Sequence, residues 1–354
     1  MRLKAQKRLN QPLWLEIAIP VGGLIMAILT SGVFLMLMGV SPVEAYMEIY
    51  YSAFGDSYGL SECMVKAIPL AMAAIAVMLS FKMLIWNIGA EGQIFMGAIA
   101  AAAAARYFPS DNHVFMLFSM GSMAIVAGGL WAAFAGYLRA RWNVNEIITT
   151  LMMNYIAIHL MDYFVYGPWR DPASLGFPMT APFPQSARLA VMGWGRVHSG
   201  IILAAILVFI AWWIFKMTRW GYEIRVIGEN PQAATFAGID YVKNVVVVMF
   251  ISGAIAGLAG MTEVAGLQGR LQHGFSGGFG YTAIIVAWLS RLNPIAIALV
   301  SFLMGGLLVG GESLQIVMGL PIASTLVVQG CILFFILAGE FFRRYRIVIS
   351  KGDI

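Results

Sequence analysis

Apolar residues fill this chain in long runs, and polar residues gather into short interruptions between them. The runs cover residues 13–40, 63–81, 90–107, 113–138, 146–166, 201–215, 245–265, 281–289, 295–309 and 321–338. A helix needs about 20 mostly apolar residues to cross a bilayer, and most of these runs approach that length. The pattern predicts an all-α, polytopic transmembrane helical bundle of about ten spanning helices. Residues 41–62, with Glu44, Glu48, Asp56 and Glu62 among tyrosines, read as an interfacial or exterior segment. Residues 167–198 hold Pro168, Pro172, Pro178, Pro182 and Pro184 and are too polar to span.

Composition supports the same class. The chain has 354 residues, of which 60% are hydrophobic and 11% charged, whereas a soluble domain carries roughly a quarter charged residues. Its mean hydropathy is +0.82. Cys63 and Cys331 are the only cysteines and form no CxxC, so both are expected to be small core residues. The basic residues 1–10 resemble the start of a signal peptide. The apolar run that follows exceeds the roughly 7–15 residues of a signal core, which predicts an uncleaved first span.

The net charge of +5 does not mark a nucleic-acid binder, because the cations lie in short clusters between apolar runs and not along one dense, aromatic-rich face. Alternating the ten runs across a membrane places 16 of the 22 Lys and Arg on one side and 6 on the other. The positive-inside rule then puts both termini in the cytoplasm. The short run 281–289 has to count as a span for Arg343, Arg344 and Arg346 to stay inside.

Three features stand out within this frame. The first is Trp86-Asn-Ile-Gly-Ala-Glu-Gly-Gln93, a polar stretch inside an apolar region. Intramembrane charge is costly and usually faces a cavity or pathway, so Asn87, Glu91 and Gln93 are candidates for a substrate pathway; a tight cytoplasmic turn is the other reading. Asn154, two turns into its run, is a further cavity-lining candidate, while Glu146, His159, Asp162, Glu263 and Glu312 read mostly as interfacial groups or helix contacts. The second feature is the polar stretch 216–244. There Asn230-Pro231 is a helix start, a short helix over 231–237 is predicted, and Gly238 is placed to end it. Such a helix suits docking onto a cytoplasmic partner, and a plain surface loop is the alternative. The third is the glycine-rich 266–280, which lacks the Gly-Lys-Ser/Thr of a phosphate loop and reads as irregular backbone at an outer mouth. No catalytic residue, metal site or bound cofactor is expected in this chain.

Asn87-Ile-Gly-Ala-Glu-Gly-Gln93 resembles the signature of permease subunits of ATP-binding-cassette importers, in the simple sugar and nucleoside branch. Residues 145–156, Gly167-Pro-Trp-Arg-Asp-Pro172, 221–239, 278–284 and 292–294 resemble the same branch, and the matches extend over roughly 63–340. The 167–172 stretch is most similar to nucleoside-type permeases served by a lipoprotein-like binding protein. The resemblance implies a single permease domain over 1–354, with cytoplasmic tails at 1–12 and 340–354 and a coupling loop at 216–244. In that loop Gly221, Arg225, Gly228, Asn230, Ala233, Ala234, Gly238 and Ile239 would meet the ATPase. It also implies an ATP-binding subunit that uses the ATP, a second and non-identical permease, an extracytoplasmic substrate-binding protein, a small-molecule substrate and a multi-pass place in a bacterial inner membrane. A simple sugar or riboflavin is the rival substrate. An ion-coupled secondary transporter is the rival of another class, and an intramembrane enzyme lacks a legible nucleophile–base set.

Overall fold

The computed structural model describes residues 2–7, 13–321 and 323–350. The expected tails at 1–12 and 340–354 lie partly outside these residues, at 1, 8–12 and 351–354. The ten apolar runs all emerge as helices: α1 (Leu13–Leu37), α3 (Ser57–Phe81), α4 (Ala90–Tyr107), α5 (His113–Trp142), α6 (Glu146–Tyr166), α7 (Gly200–Met217), α10 (Tyr241–Glu263), α11 (Phe279–Leu289), α12 (Pro294–Met318) and α13 (Ala323–Arg344). Between them lie α2 (Pro42–Phe54), α8 (Arg219–Glu229) and α9 (Pro231–Phe236). Among the described residues six helices are long and apolar enough to cross a membrane by themselves, or seven when α1 and α2 count as one broken span bent by 114°. Helix α4 is not among them, since Glu91, Gln93 and Arg106 dilute its apolar character. This is a polytopic helical membrane protein.

The chain forms two compact units. The smaller comprises residues 1–56 and 307–354. In it strands β1 (Arg2–Lys7) and β2 (Tyr345–Ser350) pair antiparallel, with Arg2 opposite Ser350 and Lys7 opposite Tyr345. Helix α2 occupies much of the segment 41–62, which was expected to be interfacial or exterior and for which no helix was foreseen. Pro42 opens it at a position where a missing N–H costs nothing, and its Ala45 packs with Leu35, Leu314 and Leu320. Ser313 donates to Glu48 Oε1 at 2.5 Å, a bond that satisfies one of the acidic side chains of α2.

The larger unit, Ser57–Gly306, holds the core. Helix α3 is apolar around its whole circumference, and nearly every residue from Val65 to Phe81 is buried, as expected of a helix surrounded by others. Helices α4, α5 and α10 approach so closely that backbones touch. A Cβ on Gly97 would run into the Gly257 backbone, one on Gly128 into Gly253, and one on Gly260 into Ile94. Small residues at such seams let dispersion contacts replace the hydrophobic driving force that lipid cannot supply. A π-turn at Val264–Gln268 ends α10 and leads into the glycine-rich connection. The proline-rich segment folds over that connection through Thr180 N to Leu271 O (2.9 Å), Phe183 N to Gly269 O (2.8 Å) and Leu189 N to Ala265 O (2.9 Å). A paired Arg196–Glu62 contact ties the same segment to α3.

Candidate functional site

The polar run enters the core as the turn between α3 and α4. Residues 82–89 leave helix geometry, with Leu84 at φ 55°, and α4 begins at Ala90. Asn87, Glu91, Gln93 and Asn154 are all buried, Glu91 being 3% exposed. Buried polar groups have to be hydrogen-bonded or they cost stability, and here each is used. Asn87 Nδ2 donates to Gln93 Oε1 (3.2 Å) and to Ser252 Oγ (3.0 Å). Asn87 Oδ1 accepts from Gln93 Nε2 (2.9 Å) and from the Gly89 N–H (3.0 Å). Ser252 Oγ in turn donates to the Ala76 carbonyl (2.7 Å), tying the turn to α10 and α3.

Asn154 performs the same task from α6. Its Oδ1 accepts from Gly92 N (2.8 Å), its Nδ2 donates to Ile88 O (2.9 Å), and the same nitrogen lies 3.3 Å from the Tyr281 hydroxyl. Thr150, one turn earlier, accepts from Ile88 N (3.2 Å). Glu91 reaches away from this group to the start of α11. Its Oε2 accepts from Gly280 N (2.6 Å), and its carboxylate also meets Gly278 N–H and the Ser276 hydroxyl. The carboxylate thus sits at the N-termini of two helices, α4 and α11, where free N–H groups and the helix dipole favour negative charge. A Cβ on Gly280 would strike the Glu91 backbone, so only glycine allows this approach. Residues 274–278 spell Gly-x-Ser-x-Gly, yet Ser276 is buried on Glu91 and on Phe279 N (3.2 Å), and no strand precedes it to form a nucleophile elbow.

Sequence reasoning singled out Asn87, Glu91 and Gln93, and separately Asn154, as pathway candidates, but missed Thr150, Ser252, Ser276, Gly280 and Tyr281. The Thr150–Asn154 spacing, four residues on one helix face, was the available signal. Tyr281, 36% exposed, carries the network to the surface of the larger unit, beside the exposed Tyr155. A separate cavity of about 730 Å³ lies at the folded-over segment and is lined by polar groups including Asp111, His113, Arg188 and Gln268. Beside it His198 is fully buried, with Nδ1 accepting from Gly200 N (3.2 Å). Burial pushes its pKa down to about 4.

The 216–244 stretch is more ordered than a loop. Thr218 caps α8 by accepting from Gly221 N (3.1 Å), and Asn230 caps α9 by accepting from the Gln232 and Ala233 N–H groups, both at 3.0 Å. Helix α8, unexpected from the sequence, buries Ile224 and Ile227 and lays Gly221 on the Ile214–Phe215 backbone and Gly228 on that of Lys82. Helix α9 stops at Phe236, one residue short of the expected end. Gly238 follows at φ 80°, a conformation glycine adopts without strain, and Ile239 N closes on Ala234 O (3.0 Å). Ala234 is buried, whereas Ala233 and Arg225 are exposed and Phe236 is 93% exposed.

A family profile described as the permease component of branched-chain amino acid transport systems matches residues 59–337. The glucose ABC transporter permease protein TsgB13 of Haloferax volcanii is 35% identical, over 99% of this chain and 94% of its own length. The guanosine ABC transporter permease protein NupP of Bacillus subtilis is 30% identical, over 91% and 93%. The nucleoside ABC transporter permease protein NupB of Lactococcus lactis is 27% identical, over 91% and 90%.

Proposed function

The chain belongs to the family of permease components of ATP-binding-cassette transport systems, and from that premise we propose that it forms the translocation pathway for nucleosides. The observation that carries the substrate is that guanosine and nucleoside permeases are similar to this chain over some nine-tenths of both lengths. A sugar is the second reading, because the glucose permease is the more similar in sequence. In this proposal residues 1–354 act as one permease with cytoplasmic tails and a coupling loop at 216–244, set in the cell (inner) membrane. A second, non-identical permease, an ATP-binding subunit and an extracytoplasmic binding protein complete the importer. ATP is bound and hydrolysed on the partner subunit, and this chain holds no cofactor and catalyses no reaction.

Helices α8 and α9 are the coupling elements. Helix α8 is fixed against the end of α7 and the Lys82 turn, whereas α9 projects with Phe236 uncovered, a surface that suits an ATPase cleft. Movement of the ATPase would pass through α8 to Lys82 and the turn 82–89, and from there to α4, α6 and α11. Coupling of this kind needs an element with two states that both ligands bias. The buried cluster of Asn87, Glu91, Gln93 and Asn154 serves the pathway by holding that wall rigid and aiming Tyr281 and Tyr155 toward it. The test is substrate-stimulated ATP hydrolysis by the reconstituted complex. Stimulation by purine or pyrimidine nucleosides, and not by glucose or riboflavin, is expected. Stimulation by glucose alone would keep the machine and overturn the substrate. Ion-coupled uptake by this chain without an ATPase would overturn both.

A further inference from the structure

An apolar groove of about 480 Å³ runs along the larger unit between α3, α7 and the start of α12, lined by residues such as Ile68, Ala71, Ala204, Val208, Trp212 and Ala298. Its α7 wall extends from Ile201 to Trp212, about 16 Å at 1.5 Å per residue. That is roughly half of a hydrocarbon core of about 30 Å. A spanning helix from a neighbouring subunit would need twice that length, whereas one lipid acyl chain fits within it.

The Trp212 end of the groove is cationic. Lys216 Nζ lies 4.9 Å from the Trp212 ring centroid, and Lys82 Nζ, just past the end of α3, lies 4.8 Å from the ring centroid of Phe215, about one turn beyond Trp212 on α7. Arg225 adds a third positive charge close enough to act on Lys82. Among the described residues no ion pair is made by Lys82, Lys216 or Arg225, and the nearby Glu223 is already paired with Arg219 at 3.0 Å. Burial, and then Arg225, push Lys82 below the ordinary lysine value. An anion at this end would relieve both effects.

We propose that this groove is a site for an anionic phospholipid, with an acyl chain between α3 and α7 and the phosphate held by Lys82 and Lys216. Basic pockets between spanning helices on the cytoplasmic side bind anionic headgroups for the same reason. The site lies beside Gly228, where α8 rests on the Lys82 backbone, so a bound lipid would steady the seat of the coupling helices. The proposal rests on the transport reading only for this last consequence and for which leaflet supplies the lipid.

The test is native mass spectrometry of the purified full chain, exchanged with phosphatidylglycerol or phosphatidylethanolamine. Preferential retention of phosphatidylglycerol is expected. The Lys82→Gln/Lys216→Gln variant should reduce that preference roughly 10- to 30-fold, the scale set by two lysines near an anionic headgroup. Ala204→Phe, which fills the groove wall, should release both lipids. Equal retention of the two lipids by the unmodified chain would overturn the proposal, as would an undiminished preference in the double variant. So would cysteine crosslinking across this groove to a second permease subunit in the assembled complex. A chain that holds phosphatidylglycerol yet assembles with no ATPase would defeat the transport reading and leave the lipid site standing.

Discussion

Asn154 holds two backbone groups of the buried turn in place from a separate helix. Its Oδ1 satisfies Gly92 N–H and its Nδ2 satisfies Ile88 C=O. Asn154→Ala would leave both buried groups without their partner, and each orphan costs about 1–3 kcal/mol. The variant is expected to melt well below the unmodified protein in detergent, while Tyr281→Phe, which removes one 3.3 Å contact, should shift melting little. Equal melting for all three would mean that the turn is braced elsewhere. His198 makes a second prediction. Its folded pKa of about 4 lies below the ordinary value of 6.5, so the unfolded chain takes up the proton first as pH falls. Its stabilising effect is complete above pH 6.5 and is lost as pH falls toward 4. Thermal unfolding across that window should show the loss, and His198→Gln should flatten it. Asn87 and Glu91 were legible as special because carboxylates and amides are rare in apolar runs. Their partners were not, because serine, threonine and glycine occur throughout spanning helices, and nothing local marks Ser252 or Gly280.

Among the elements, α9 was readable in advance and α8 was not. Asn230, Pro231 and Gly238 are local signals that need no tertiary context. In α8 the buried positions 221, 224, 227 and 228 follow a helical period, but two are glycines, which sequence reasoning scores as breakers. They are glycines because α8 lies directly on other backbones, a reason visible only once the partners are in place. A similar limit applied to 41–62, where acidic residues and tyrosines concealed α2. Helix α9 gives the third prediction. Asn230→Ala removes two capping bonds and should cost about 0.5–2 kcal/mol of helix stability, whereas Phe236→Ala should leave folding unchanged. Both are expected to lower recovery of the ATPase with this chain in pull-down. If Phe236→Ala recovered it fully, α9 would not be the docked surface.

Taken as a whole, the chain divides its polar work between the two ends of the larger unit. Near one end the α8–α9 pair is presented outward and the connection from α3 to α4 is sealed inward. Near the other, the proline-rich segment folds over the glycine-rich connection beside a polar cavity. The bundle architecture followed from apolar run length alone, because a membrane forces backbone polar groups into helices. The division into two compact units did not, since α12 is one continuous apolar helix with residues in both.

The Glu91 contact also sets an order in time. Its carboxylate is satisfied by Gly280, a residue 189 positions later in the chain. At roughly 5–20 residues per second, a ribosome takes roughly 10–40 s to make that partner after α4 has emerged. Through that interval α4 carries a buried-type carboxylate whose permanent donor, the Gly280 N–H, is still unmade, so it cannot settle into lipid as a finished span. The insertion machinery, or a passing protonation, has to shelter it until α11 arrives. Slowing translation between α4 and α11 should therefore lengthen the period in which the nascent chain is open to membrane proteases, and replacing Glu91 by leucine should shorten it while depriving the finished bundle of its clasp.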